Sequence, residues 1–188
     1  MTVTPSISTR RLLLRPWRDG DLQPFAALNA DPRVTEYFPE TIDRAESDET
    51  VAYIREHFER HGFGPWAVEE SASGEFIGCV GLLVPSFEAP FMPCVEILWR
   101  LAHEHWGKGY ATEAASACLD EAFGPVGLDE VVAFTVPGNL RSRAVMERLG
   151  MRHAADEDFL HPEVPEGHPL QLHMLYRLSR EAWASRRS

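Results

Sequence analysis

Two apolar periods alternate along this chain, and the places where one gives way to the other mark its elements. From Arg10 to Trp17 the pattern predicts an opening strand, with Leu12 and Leu14 on one face and Leu13 on the other. Asp19-Gly20-Asp21 opens a helix that runs to about Ala30 and stops at Asp31-Pro32. Between Arg44 and His61, Val51, Ile54 and Phe58 fall at helical spacing, and Gly62 closes this second helix. Pro65 to Glu70 and Glu75 to Leu83 are apolar runs around Ser71-Ala72-Ser73-Gly74, which predicts a β-hairpin. The proline-rich stretch from Pro85 to Pro93 reads as a loop.

Cys94 to Leu101 predicts the next strand, with Val95, Ile97, Trp99 and Leu101 on one face and Glu96, Leu98 and Arg100 on the other. Helical spacing returns from Ala111 to Phe123 and ends at Gly124-Pro125. Glu130 to Val136 is rich in strand formers, and Pro137-Gly138-Asn139 leads into a helix from Leu140 to Leu149, capped by Gly150. Met151 to Leu160 and Leu170 to Leu178 read as two closing strands around a Pro/Gly loop. The order predicts a mixed α/β fold. With no repeat, linker or low-complexity segment, it predicts one domain over 1–188 with its core at about 9–179.

Charge and cysteine usage narrow the partners. The formal net charge of −11 opposes a phosphate backbone, so nucleic acid is not an expected partner. It suits a cationic ligand such as an amine, or simple solubility. Cys79, Cys94 and Cys118 are odd in number, form no Cys-x-x-Cys pair and sit in apolar surroundings, so buried thiols are expected rather than disulfides or zinc. Met1 to Arg11 is polar, and the longest apolar stretch, Phe76 to Val84, is broken by glycines. The reading is a soluble, cytoplasmic chain with no membrane partner.

The chemistry concentrates in Trp106-Gly107-Lys108-Gly109-Tyr110-Ala111-Thr112-Glu113-Ala114, between a strand and a helix. Two glycines allow a tight turn that brings backbone amides to a ligand. The helix start adds free N–H groups and a positive dipole end, together an anion site. The segment is not a Walker loop, and Thr112 stands where a dinucleotide fingerprint needs a third glycine. A plain strand-to-helix turn is the alternative.

Glu96 to Ala114, followed by Pro137-Gly138-Asn139-Leu140-Arg141-Ser142 and Leu149-Gly150-Met151, resembles the GNAT acetyltransferases. The branch it most resembles contains the ribosomal-protein N-terminal acetyltransferases. The resemblance extends from Thr9-Arg10-Arg11 to Tyr176-Arg177-Leu178. It implies a twisted, mixed, mostly antiparallel sheet of about seven strands flanked by about four helices. Two neighbouring parallel strands splay apart in that sheet, leaving backbone groups that need partners.

It also implies acetyl-CoA as donor and CoA as product. The pyrophosphate would sit on Trp106, Gly107, Lys108, Gly109, Tyr110, Ala111 and Thr112, and the pantetheine would meet Trp99 and Leu101. Trp106 stands where the family usually has Gln or Arg; the amide cradle does not depend on it. Asn139 and Ser142 map onto the second cofactor segment, with Asn139 also a good helix N-cap.

Acetyl transfer to an amine needs a neutral nucleophile. At pH 7 only ~1 in 2,500 lysine side chains is neutral, against roughly 1 in 6 α-amines. Glu96 is the first candidate base, a structural or solvated glutamate being the alternative. Ser142 is the candidate proton donor to the thiolate, and the Leu101 N–H the candidate oxyanion donor. His57 and His61 lack the glutamate of a zinc-peptidase helix, Phe58 standing in its place, so no metal is expected. His103 and His105 read as polar loop, while His161, His168 and His173 lie in a segment expected to border the acceptor cleft. Trp66, Phe38 and Phe91 read as core or cleft wall.

The resulting expectation is an N-acetyltransferase acting on a protein N-terminus or a small-molecule amine, with a homodimer as a mild expectation. Competing readings are a non-catalytic acyl-CoA-binding module and an enzyme using another acyl-CoA such as succinyl-CoA.

Overall fold

The computed structural model describes residues 5–187, so the ends of the expected 1–188 domain lie outside the described residues. The strands are β1 (Ile7–Ser8), β2 (Leu12–Arg15), β3 (Pro65–Glu70), β4 (Glu75–Leu83), β5 (Glu96–Leu101), β6 (Glu130–Thr135), β7 (Arg152–His153), β8 (Phe159–Leu160) and β9 (Leu172–Ser179). The helices are α1 (Leu22–Asn29), α2 (Arg44–His61), α3 (Tyr110–Phe123), α4 (Leu140–Leu149) and α5 (Arg180–Arg187). The strands form one sheet in the order β1-β2-β3-β4-β5-β6-β9-β7, with β8 paired to β9. All pairs are antiparallel except β5 with β6. This is the mixed α/β fold read from the sequence, with short strands added at both edges.

Local chemistry explains the boundaries. Asp43 and Glu46 form a reciprocal capping box at the start of α2, and Gly62 (φ 78°) ends it in the left-handed region. α3 carries Ala114, Ala115, Cys118, Leu119 and Ala122 on one fully buried stripe, small enough to lie close on β4 and β5. Trp66 is fully buried, and its indole N–H donates to Pro5 O at 2.9 Å.

One ion-paired network stands out inside. The Arg15 guanidinium binds both Asp21 oxygens at 2.7 and 2.8 Å and Glu69 at 2.7 Å. Burial alone would raise the Asp21 carboxyl; the hydrogen bonds from Arg15 and Arg18 outweigh it and hold it below the usual range.

Three expectations change. Met151 to Leu160 is not one strand: a 3-10 turn at Ala155–Glu157 splits it into β7 and β8, which flank the same strand. The α5 helix was not expected, since Trp183 is its one large apolar residue. Cys79 and Cys118 are buried, but Cys94 is only partly so. All three thiols are free, and burial pushes Cys79 and Cys94 up to about 11. Among the described residues no helix is long and apolar enough to cross a membrane.

Candidate active site

The parallel pair at the sheet centre barely holds together. Its register is a single match, Glu96 against Val132, with Val132 N–H donating to Val95 O at 2.9 Å. Beyond that point β5 and β6 part. Backbone groups alternate sides along a strand, so Ala102 N–H faces β4, reaching Ile77 O at 2.9 Å, while those of Trp99 and Leu101 turn into the gap. A cavity of about 1290 Å³ opens there and is lined by every residue of β5. Successive side chains point to opposite faces, so the cavity passes through the sheet.

At one mouth, the loop between β5 and α3 turns through two left-handed glycines, Gly107 (φ 73°) and Gly109 (φ 80°). A Cβ on Gly107 would meet nothing within 4 Å, and Gly109 gives the start of α3 no side-chain cap. The first amides of α3 are therefore left for a ligand. Arg11, just ahead of β2, braces the loop. Its Nη1 donates to Lys108 O at 2.9 Å, its Nε binds Glu113 at 2.7 Å, and its guanidinium lies 4.5 Å over the Tyr110 ring.

Glu113 also accepts from Thr9 Oγ1 at 2.7 Å, so its charge is fully engaged. Trp106 anchors the other side of the loop: its Nε1 donates to Leu101 O at 2.8 Å and Arg141 stacks 4.6 Å from its ring. Arg141 in turn pairs with Glu36 at 2.5 Å, which ties the α1–α2 connection to the start of α4 across the cavity.

The cavity is also lined by Phe38 from the α1–α2 connection and, on the side of the last strands, by Phe134, His161 and His173, while Tyr37 of the same connection stands beside Arg141. Phe87 and Phe91 back these rings, Phe91 standing 4.7 Å from Phe159. His173 Nδ1 lies 3.1 Å from Gln171 O, which makes it the protonated nitrogen and leaves a lone pair on Nε2. Burial lowers both His161 and His173, so both are neutral at pH 7. Glu96 is partly buried on this side. Desolvation pushes its carboxyl up to about 8, and the Arg100 charge only partly offsets that.

The structure brings together eleven of the twelve residues expected to catalyse or to bind the cofactor. Glu96, Trp99, Leu101, Trp106, Gly107, Gly109, Tyr110, Ala111, Thr112, Asn139 and Ser142 line the one cavity. Lys108 does not. The turn faces its side chain outward, with its ammonium 5.8 Å from the Tyr110 ring. Tyr110 also commits its hydroxyl, donating to Glu70 at 2.5 Å. Asn139 caps α4 by accepting from Ser142 N–H at 3.1 Å, and its amide donates to Thr135 at 3.0 Å. The Ser142 hydroxyl has no partner among the described residues.

His161 and His173 border the cavity as expected, and His168 does not. His105, read as polar loop, is buried, lines the cavity, and carries an Nδ1 without a partner among the described residues. Arg11, Arg100 and Arg141 were missed as well. Arg141 sat within the quoted Asn139-to-Ser142 segment; for the other two no local spacing marks the role. His57 is structural, bound at Nδ1 to Phe63 O (2.9 Å) and at Nε2 to Val84 N–H (3.0 Å). Among the described residues no group of three His, Cys, Asp or Glu is placed to hold a metal.

This geometry suits an elongated anionic ligand: uncapped amides and a dipole for phosphate, an orphaned imidazole beside them, and unpaired strand groups for an amide-bearing arm. Residues 11–152 match the Acetyltransferase (GNAT) domain family. YkkB of Bacillus subtilis (strain 168) is 33% identical over 155 residues, covering 82% of this chain and 89% of that protein. An acetyltransferase structure from Agrobacterium tumefaciens str. C58 superposes with a TM-score of 0.74 at 29% identity, over 93% of this chain and 94% of that one. RimJ of Mycobacterium smegmatis, solved with CoA-disulfide, shares the fold at 22% identity and a TM-score of 0.74, over 95% and 88% of the two chains.

Proposed function

The chain belongs to the GNAT acetyltransferase family, and from that premise we propose that it moves the acetyl group of acetyl-CoA to a primary amine by direct attack. The observation that carries this reading is the through-sheet cavity, with an amide cradle at one mouth and Glu96 toward the other. Acetyl-CoA, when bound, supplies the acetyl group as a thioester. The amides from Gly107 to Thr112 hold the pyrophosphate, Arg11 keeping that loop in shape, and the Trp99 and Leu101 backbone orients the pantetheine in the gap. Lys108 contributes its backbone to the cradle rather than its charge.

In the transfer the amine nitrogen bonds to the acetyl carbon as the carbon–sulfur bond breaks. Glu96 takes the proton that the amine sheds, relayed through water along the strand. With its pKa near 8 it is about one-tenth ionised at pH 7, and it is matched to an amine that must lose a proton near neutrality. The Leu101 N–H, turned into the gap, donates to the acetyl oxygen as charge builds there. The Ser142 hydroxyl, which lines the cavity, gives a proton to the departing sulfur and regains one from solvent. The acceptor is a protein N-terminus or a small amine.

Calorimetric titration of acetyl-CoA, succinyl-CoA and CoA, followed by thiol-release assays on an amine panel, tests the reading. We expect saturable acetyl-CoA binding near micromolar and thiol release that depends on both amine and Glu96. No binding of any CoA species sinks the proposal. Binding without turnover on any amine leaves a non-catalytic acyl-CoA-binding protein in its place.

A further inference from the structure

Arg100 is a cation with no carboxylate in direct contact among the described residues; Glu96 acts on it only from a distance. It sits on the same face of β5 as Glu96, opposite Ile97, Trp99 and Leu101, and it lines the cavity. Its surroundings are built rather than incidental. Nη1 donates to Asn29 Oδ1 at 2.7 Å, and Asn29 is fixed in turn by donating to Ser47 Oγ at 2.9 Å. Asn29 and Ser47 are fully buried. The Phe38 ring covers one face of the guanidinium at 4.3 Å. Stacking of this kind fixes the plane of the group and leaves its in-plane N–H fork to the side, the geometry that matches a carboxylate.

Yet among the described residues no carboxylate stands within the 4.0 Å of an ion pair. Arg15, Arg11 and Arg177, which are also drawn into the fold, each have acidic partners: Asp21 and Glu69, Glu113, and Glu157 with Glu130. Arg143, likewise partly buried without an acidic partner, is held by Tyr176 and Pro137 O, whereas Arg100 has a single neutral amide oxygen and an open cavity beside it, an arrangement that asks for an anionic ligand.

We propose that the acceptor amine also carries a carboxylate, which Arg100 binds while the amine is presented to Glu96. This rests on the acetyl-transfer reading and narrows its acceptor class. Four residues of strand separate the two side chains, roughly 13 Å between Cα atoms. An amino acid or short peptide bridges it, with the aromatic rings of Phe38 and Phe134 flanking its chain. Asn29, Ser47 and Phe38 act as positioning residues for the guanidinium.

The test is a matched panel of acceptors: glycine, β-alanine, γ-aminobutyrate and glycylglycine, each against its own carboxamide. Thiol release is measured with the wild-type protein, Arg100→Met and Arg100→Lys, and calorimetry follows binding of each carboxylate to the CoA-loaded protein. The wild type should prefer at least one carboxylate over its amide by about tenfold or more in kcat/KM. Arg100→Met should erase that preference mainly through KM, and Arg100→Lys should restore part of it. Thermal melts of the two variants check that they fold.

Equal use of acids and amides by the wild type, or an equal loss on both in Arg100→Met, overturns the proposal. So does a panel in which no carboxylate is bound or turned over. If acetyl-CoA itself fails to bind, the acetyltransferase reading falls first, and the two failures are thereby separated.

Discussion

Replacing Glu96 by Gln should make the protein more stable and far less active, and the size of the gain follows from its surroundings. Burial raises the carboxyl from 4.5 in the unfolded chain to about 8 in the fold. A group with a raised folded pKa adds nothing unfavourable below pH 4.5, where both states are protonated. Its penalty grows as pH rises and levels off above the folded value.

At about 1.4 kcal/mol per pK unit the penalty reaches at most about 3 kcal/mol at pH 7 and about 5 kcal/mol at pH 9. Glutamine keeps the shape without the charge and so releases it. For a chain of this size each kcal/mol moves Tm by roughly 2–4 °C, so Glu96→Gln should melt up to about 10 °C higher at pH 7. The difference should widen toward pH 9 and vanish by pH 4.5. Scanning calorimetry of both proteins at those three pH values reads it directly.

Thiol release should meanwhile fall about 100-fold or more, the usual contribution of a general base, with acetyl-CoA affinity kept. A Glu96→Gln protein that melts at or below the wild type at pH 9, or one with undiminished turnover, refutes the reasoning.

Three further outcomes follow from the same structure. Arg15→Met takes the guanidinium from the buried Asp21 carboxylate and leaves the partly buried Glu69 only Arg18, and should cost about 3–5 kcal/mol, seen as a Tm drop of about 10 °C. Gly107→Ala meets no atom within 4 Å, so the fold should lose only the left-handed strain of about 1–2 kcal/mol while acetyl-CoA affinity drops about tenfold or more by titration. His57 is held neutral between Phe63 O and Val84 N–H, and desolvation lowers it below 6.5; stability should therefore decline as pH falls from 6.5 through that lowered value, and His57→Gln should flatten this part of a Tm-against-pH curve.

What the sequence alone determined is mostly local in origin. Helix α2 and strands β3 and β4 lie where periodicity put them, because an amphipathic stripe, a capping box and a glycine stop are written within a few residues of one another. The cofactor loop was legible for the same reason: two glycines and a helix start are a local device. Where local signal thinned, so did the reading. The split of Met151 to Leu160 depends on both pieces flanking β9, and α5 is anchored by a single tryptophan.

The character of the site was decided only in three dimensions. Glu96 could be named from its strand, but its raised pKa is a sum of desolvation over elements distant in sequence, and no spacing encodes that sum. Arg100 reads in the sequence as one polar position on an alternating strand. Its meaning comes from Asn29 on α1, Ser47 on α2 and Phe38 between them, and from the carboxylate that none of these elements provides. Periodicity fixes which face a side chain takes, whereas packing fixes who stands opposite, and electrostatics depends on the second.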